Sequence, residues 1–282
     1  MHRRSTQIVA HTWLVLLVLA YLVPIWLMIV TSFRSPNGGG VFRDWSPFSI
    51  KAFIPYEPDF AGYLTLFGPG SAFPQALLNT LVVCAITLVV GTAINMLAGF
   101  TFAYFDFRGG GLIFAVTLVT FMVPFEAIVI PILSIMQKLS LVDTLAAVIL
   151  PTIANGFLVF LFRQFYRGIP RDLREASMID GASLWVILRR IYLPLSRPII
   201  VTSAIVLFIA QWQPLFLPLA VLRSPSNWVL QLALSSLQGT IQLPSWGPVL
   251  AAAVITLVIP VVLVSPFMGY FKLALLDGAT RG

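Results

Sequence analysis

Residues 163–198 read RQFYRGIPRDLREASMIDGASLWVILRRIYLPLSRP, a charged island in a chain that is 59% hydrophobic and only 10% charged. Seven of the 17 Lys and Arg residues fall inside it: Arg163, Arg167, Arg171, Arg174, Arg189, Arg190 and Arg197. Apolar runs flank it on both sides. Soluble domains carry about 25% charged residues, so this composition excludes a water-soluble fold.

A helix needs about 20 mostly apolar residues to cross a bilayer, because its backbone must satisfy its own hydrogen bonds once water is gone. Six runs meet that length: 13–33, 78–103, 112–136, 144–165, 199–221 and 247–270. The expected fold is therefore all-α and polytopic. The first run follows Arg3 and Arg4 and is longer than a signal peptide's apolar region, which predicts an uncleaved first span. Residues 1–12 form a cytoplasmic N-terminus, and 13–282 form one membrane domain. Between the first two spans, residues 34–77 are rich in Gly, Pro and aromatics and read as an irregular extracytoplasmic loop.

The net charge of +7 raises nucleic acid as a partner, and the placement of the charges decides against it. With the N-terminus inside, the cytoplasmic loops hold Arg3, Arg4, Arg108, the seven arginines of 163–198, Lys272 and Arg281. The outer loops hold Arg34, Arg43, Lys51, Lys138 and Arg223. Such a bias is the positive-inside pattern of a multi-pass protein, here with both termini cytoplasmic. Membrane lipid, not nucleic acid, is the expected surroundings. The single cysteine, Cys84, lies in an apolar run and forms neither an intrachain disulfide nor a multi-cysteine metal site.

The island itself is too polar for the membrane and too long for a turn. Pro170 suits the first position of a helix. Leu173, Ala176 and Ile179 then recur at helical spacing among Arg171, Asp172, Arg174 and Glu175. Gly181 follows where such a helix must turn, and a second short helix from about Ser183 to Arg190 is predicted to end before Pro194. Two uses fit this helix–glycine–helix loop. One is an interfacial helix held on anionic lipid by Arg189, Arg190 and Arg197; the other is a docking knob for a cytoplasmic partner.

The order Glu175, Ala176, Ser177, two residues, Asp180, Gly181, Ala182, Ser183, then Leu193, Pro194 and Pro198 resembles the EAA motif of binding-protein-dependent ABC importer permeases. Nearly the whole chain is similar to the carbohydrate, maltose-type inner-membrane subunits. The similar stretches include Asn79 and Thr80, Phe107 to Gly109, Val123, Pro124, Ile130, Pro131, Ile169, Pro170, Trp212 and the run Gly278 to Gly282. Departures are Ser177 for a second alanine, Gln213 where asparagine follows the tryptophan, and Thr280 and Arg281 for valine and lysine.

The resemblance implies a type I importer permease fold with a cytoplasmic coupling helix in the loop 166–198. It also implies a second homologous permease, two ATP-binding-cassette ATPase subunits and an extracytoplasmic solute-binding protein. No GxxxxGK[ST] phosphate loop occurs in the sequence, so ATP hydrolysis is expected in the partner ATPase, with no cofactor, metal or catalytic residue in this chain. Glu175, Ala176, Ser177, Asp180, Gly181 and Ala182 would form the ATPase contact, Glu175 pairing with a basic residue and Asp180 stabilising the turn. Gly278, Ala279 and Arg281 would reach the ATPase from the C-terminus.

Inside the membrane, Glu126 lies well within the third predicted span, between Pro124 and Pro131. Intramembrane carboxylates are costly and face a cavity or a partner. With Asn155, Gln211 and Trp212 it forms the candidate translocation path, by hydrogen bonding and ring stacking on a sugar; interhelical hydrogen bonding is the other use of such residues. Gly91 and Gly99 read as sites of close helix packing. The rival function is an ion-coupled secondary transporter, which would bring more intramembrane ionisable groups and repeated halves.

Overall fold

A computed structural model describes residues 2–34, 50, 53–54, 58–239 and 246–269, and every regular element among them is helical. The chain opens with α1 (His2–Ser32), α2 (Ala61–Leu66), α3 (Phe73–Ile86) and α4 (Thr92–Tyr104); a π-helical turn over Thr87–Gly91 joins the last two. Then come α5 (Gly110–Met122), α6 (Val129–Lys138), α7 (Leu145–Ile149) and α8 (Gly156–Arg167). The charged island forms α9 (Arg171–Ile179), α10 (Leu184–Ile187) and α11 (Leu193–Leu195), and leads into α12 (Arg197–Trp212). Last are α13 (Phe216–Val221), α14 (Leu230–Gly239) and α15 (Trp246–Val264).

Among the described residues, three runs are long and apolar enough to cross a membrane unbroken: Val9–Ser32, Phe73–Tyr104 and Trp246–Phe267. Three more crossings require bent pairs. α5 meets Phe125–Lys138 at 99°, Leu145–Thr152 meets α8 at 42°, and Leu184–Leu195 meets α12 at 74°. Six spans result when each pair is taken as one; 112–136 and 144–165 are bent within, and 199–221 is interrupted after α12 ends at Trp212, apart from the bend at Ser196.

The breaks have local causes. Pro124 disfavours helical backbone in the residue before it, and Val123 is extended (φ −77°, ψ 123°). Asn155 is extended as well, and its side chain accepts from Leu158 N to cap α8. Pro214 offers no N–H to continue α12, so the chain restarts at Phe216. α5, with 13 residues, rises only about 20 Å and falls short of the roughly 30 Å hydrocarbon core.

The chain divides into two compact units, residues 1–74 with 233–259 and residues 75–232 with 260–282. In the first, Phe33 stacks on Tyr63 at 5.2 Å and Ser32 Oγ bonds Tyr63 Oη at 2.8 Å, fixing the end of α1 to α2. From Val9 to Val23 the large apolar side chains of α1 are exposed, as suits a lipid-facing helix.

In the second unit, α4 and α8 approach so closely that a Cβ on Gly99 would lie 2.5 Å from Phe162 Cβ. Glycine is required there by backbone proximity. Nearby, Asn95 is wholly buried and makes three bonds: Nδ2 donates to Gly91 O at 2.7 Å and Ile153 O at 2.9 Å, and Oδ1 accepts from Asn155 N at 2.8 Å. One side chain thus ties the break in the fourth span to the π turn of the second.

The opposite end of this unit is stapled by polar groups. Asn79 Nδ2 donates to Ser226 O and Trp228 O at 2.9 and 2.8 Å, and Thr80 Oγ1 accepts from Leu230 N at 2.7 Å. Asp143, at φ +64°, accepts from Arg223 N, Ser224 N and Ser224 Oγ. The Ser224 hydroxyl and N–H hold its carboxyl well below the usual carboxylate range, with Arg223 N adding to them.

Candidate coupling site and membrane path

α9 begins directly after Pro170, whose φ of −54° and ψ of 133° deliver the chain into the helix. It ends in a Schellman motif: Gly181 N donates to Met178 O at 3.1 Å and Ala182 N to Ser177 O at 3.0 Å. That closure needs a left-handed residue after Asp180, and Gly181 supplies φ +72°. The turn expected at Gly181 is therefore present.

Downstream, the second helix does not stop before Pro194. α10 continues through a π turn at Leu188–Tyr192 into α11, which contains Pro194 and ends at Leu195. In an α-helix the proline ring would clash with the carbonyl four residues back. The wider π turn, with its i to i+5 bonding, relieves that crowding.

Much of the apolar surface of α9 is left uncovered. Ile179 is 86% exposed, and Leu173 and Met178 are about half exposed. Glu175, Ala176, Asp180 and Gly181 are exposed beside them. Ser177 is half-buried, and its hydroxyl donates to Leu173 O at 2.6 Å. Ala182 turns inward instead, against the aromatic cluster of Phe100, Tyr104, Phe162, Tyr166 and Tyr192. A cluster of exposed apolar side chains of this kind marks an interaction surface.

What anchors this helix was not evident from the sequence. Arg174 Nη1 donates to Tyr104 O at 3.2 Å and its guanidinium carbon lies 4.0 Å over the Tyr104 ring. Tyr104 Oη also reaches Met178 Sδ at 3.9 Å. Tyr104 is the last residue of α4, and it stacks on Phe100 at 4.9 Å, which packs edge-on to Tyr192 at 4.9 Å. α9 is thereby bolted to the ends of the second and fourth spans and to the entry of the fifth. Arg174 counted only as a flanking charge in the sequence, and an arginine one turn before the exposed Met178 carries no signal of its target.

The four candidate path residues sit at three separate breaks in the spans. Glu126 is exposed on the 3-10 turn Phe125–Ile128 that separates α5 from α6. Asn155 is the N-cap of α8. Gln211 and Trp212 form the last turn of α12 and are 4% and 2% exposed. Trp212 stacks on Phe208 at 5.3 Å, and Gln211 Oε1 is buried without a hydrogen-bond partner. Among the described residues no group of three or more His, Cys, Asp and Glu side chains forms a metal site. Gly278, Ala279 and Arg281 lie outside the described residues.

Among the described residues the chain is all-α, with broken apolar spans and a short amphipathic helix exposed on one side. Residues 91–275 match the family described as binding-protein-dependent transport system inner membrane component, and the chain belongs to it. It is 31% identical to an arabinooligosaccharides transport system permease protein of Halalkalibacterium halodurans over 100% of both chains. It is 30% identical to a lactose transport system permease protein of Rhizobium radiobacter over 90% of this chain and 89% of that one. Its fold is similar to a solved chain of a bacterial ABC transporter involved in the import of alginate, with a TM-score of 0.80, 22% identity and coverage of 94% and 96%. The chain is a permease subunit of a binding-protein-dependent transport system.

Proposed function

We propose that the chain forms half of the transmembrane path for a carbohydrate or related solute and that α9 couples this path to ATP hydrolysis by a partner ATPase. The carrying observation is the unpartnered face of α9, with Leu173 and Ile179 exposed next to Glu175, on a helix held at its root by Arg174 and Tyr104. A groove on the ATPase would cover that face and place a basic residue against Glu175. The firm attachment then passes the movement of the ATPase to the second, fourth and fifth spans as a rigid body. Gly278, Ala279 and Arg281 add a second ATPase contact.

The remaining partners are a second homologous permease, a second ATPase copy and an extracytoplasmic solute-binding protein. Residues 1–12 and the C-terminus lie in the cytoplasm with the coupling loop 166–198, residues 34–77 lie outside, and 13–282 form the permease domain. The positive-inside count supports this orientation. The substrate class rests on the relatives named for arabinooligosaccharides and lactose. Glu126, Asn155, Gln211 and Trp212 are the path candidates, since transporter sites collect where spanning helices are interrupted. Gln211 is the foremost of them, because its buried Oε1 lacks a donor and a sugar hydroxyl provides one.

Co-purification tests the reading. The tagged chain, expressed with its neighbouring genes, should bring down an ATPase subunit, and Ile179→Asp should release it. Absence of any ATPase from the wild-type preparation contradicts the proposal.

A further inference from the structure

Where α4, α5 and α8 end together, the structure contains a second polar feature that coupling does not use. A cavity of about 430 Å³ is lined by Phe105, Asp106, Arg108, Gly111, Arg163 and Arg167, among others. Its lining holds three arginines and one aspartate, a net positive set.

Its parts are held in place. Arg163 Nε donates to Phe102 O at 3.3 Å, and its guanidinium lies 3.9 Å over the Phe114 ring. Arg167 follows one turn later on α8 and is exposed, as is Arg108 on the loop before α5. Gly109, at φ +82°, starts α5 so that the first-turn N–H groups of Gly111 and Leu112 have no intrahelical acceptor. These donors and the positive end of the helix favour an anion. A Cβ on Gly111 would meet nothing within 4 Å, so the approach to them is open.

We infer that this cavity binds the phosphate headgroup of an anionic membrane lipid. Position selects a lipid over free phosphate: the cavity opens where spanning helices end, the level of the headgroups. From it α5 runs into the membrane with Leu112, Ile113 and Val116 72%, 52% and 55% exposed, an apolar lane for the acyl chains. It also lies at the end of α4 that carries Tyr104, the residue gripped by the coupling helix. That is the face where the positive-inside count puts the cytoplasm, and basic pockets between spanning helices on that side take anionic headgroups.

The test uses the importer purified with its partner subunits and stripped of lipid. It is titrated by native mass spectrometry with phosphatidylglycerol, with phosphatidylcholine and with inorganic phosphate. Phosphatidylglycerol should be retained preferentially. Arg108→Gln and Arg167→Gln should each weaken its retention by about fivefold and leave phosphatidylcholine unaffected. Arg108→Lys combined with Arg167→Lys should recover most of it, since a point charge still serves a phosphate; failure to recover any overturns the proposal. Equal phosphatidylglycerol retention by wild type and the double glutamine variant overturns it as well. Displacement of the lipid by inorganic phosphate at equal concentration would also do so, because the chains would then contribute nothing.

Discussion

Arg174 holds Tyr104 by both ends of the residue, donating to its carbonyl at 3.2 Å and covering its ring at 4.0 Å. One is a charge-assisted hydrogen bond and the other a cation–π contact, together about 2 kcal/mol in a half-buried setting. That is too little to decide whether the protein folds, yet enough to decide how firmly α9 follows α4. Arg174→Gln should leave the melting temperature of the assembled importer nearly unchanged while lowering the solute carried per ATP hydrolysed. Parallel uptake and ATPase assays on proteoliposomes measure that ratio.

At the other end of the same unit, Asp143 accepts from Arg223 N and Ser224 N at 2.9 Å each and from the Ser224 hydroxyl. Its folded pKa is depressed, so the stability it contributes is fully present above the unfolded value of about 4 and fades as pH falls through the folded value. Asp143→Asn keeps a residue tolerant of the left-handed backbone but removes the charge. The Tm difference between wild type and Asp143→Asn should stay constant from about pH 8 to about pH 5 and narrow below about pH 4. Thermal unfolding across that range checks it.

Asn95 offers a sharper stability prediction. Replacing it with Leu removes its bonds to the Gly91 and Ile153 carbonyls and to the Asn155 N–H. Membrane hydrogen bonds contribute about 0.6–2 kcal/mol each, so the loss of three should be roughly 2–6 kcal/mol. Lowered resistance to denaturation in detergent reads this out. A stability equal to wild type would mean the fourth span holds its break without Asn95.

Gly99→Ala tests the closest helix crossing. Its Cβ would lie 2.5 Å from Phe162 Cβ and 3.0 Å from Arg163 N, and overpacking of this kind costs about 1–3 kcal/mol. Because α8 leads directly into the coupling helix α9, the substitution should also reduce transport. Gly111→Ala, with open space around it, should leave stability unchanged in the same denaturation assay.

The sequence discloses what hydropathy and local chemistry control. Long apolar runs fix the number of spans, Pro170 and Gly181 fix the ends of α9, and the loop arginines fix orientation as an expectation. It does not disclose where spans break. Pro124 and Pro214 are visible in the sequence, yet Pro260 lies inside the unbroken α15, so a proline alone does not separate a bend from a break. The Arg174–Tyr104 grip bridges residues 70 positions apart and leaves no periodic trace. Asn95 was legible in principle: a carboxamide inside an apolar run must find partners, but its partners depend on a fold the run itself does not specify.

Uptake of the radiolabelled solute into proteoliposomes containing the complete importer, driven by ATP, tests the coupling role of α9 most directly when wild type is set against Glu175→Lys. Glu175 is exposed, so the reversal leaves the chain's own packing intact and places like charges across the expected contact. Such a juxtaposition costs several kcal/mol, and uptake should fall by at least about tenfold. Uptake by Glu175→Lys at the wild-type rate would contradict coupling through this helix.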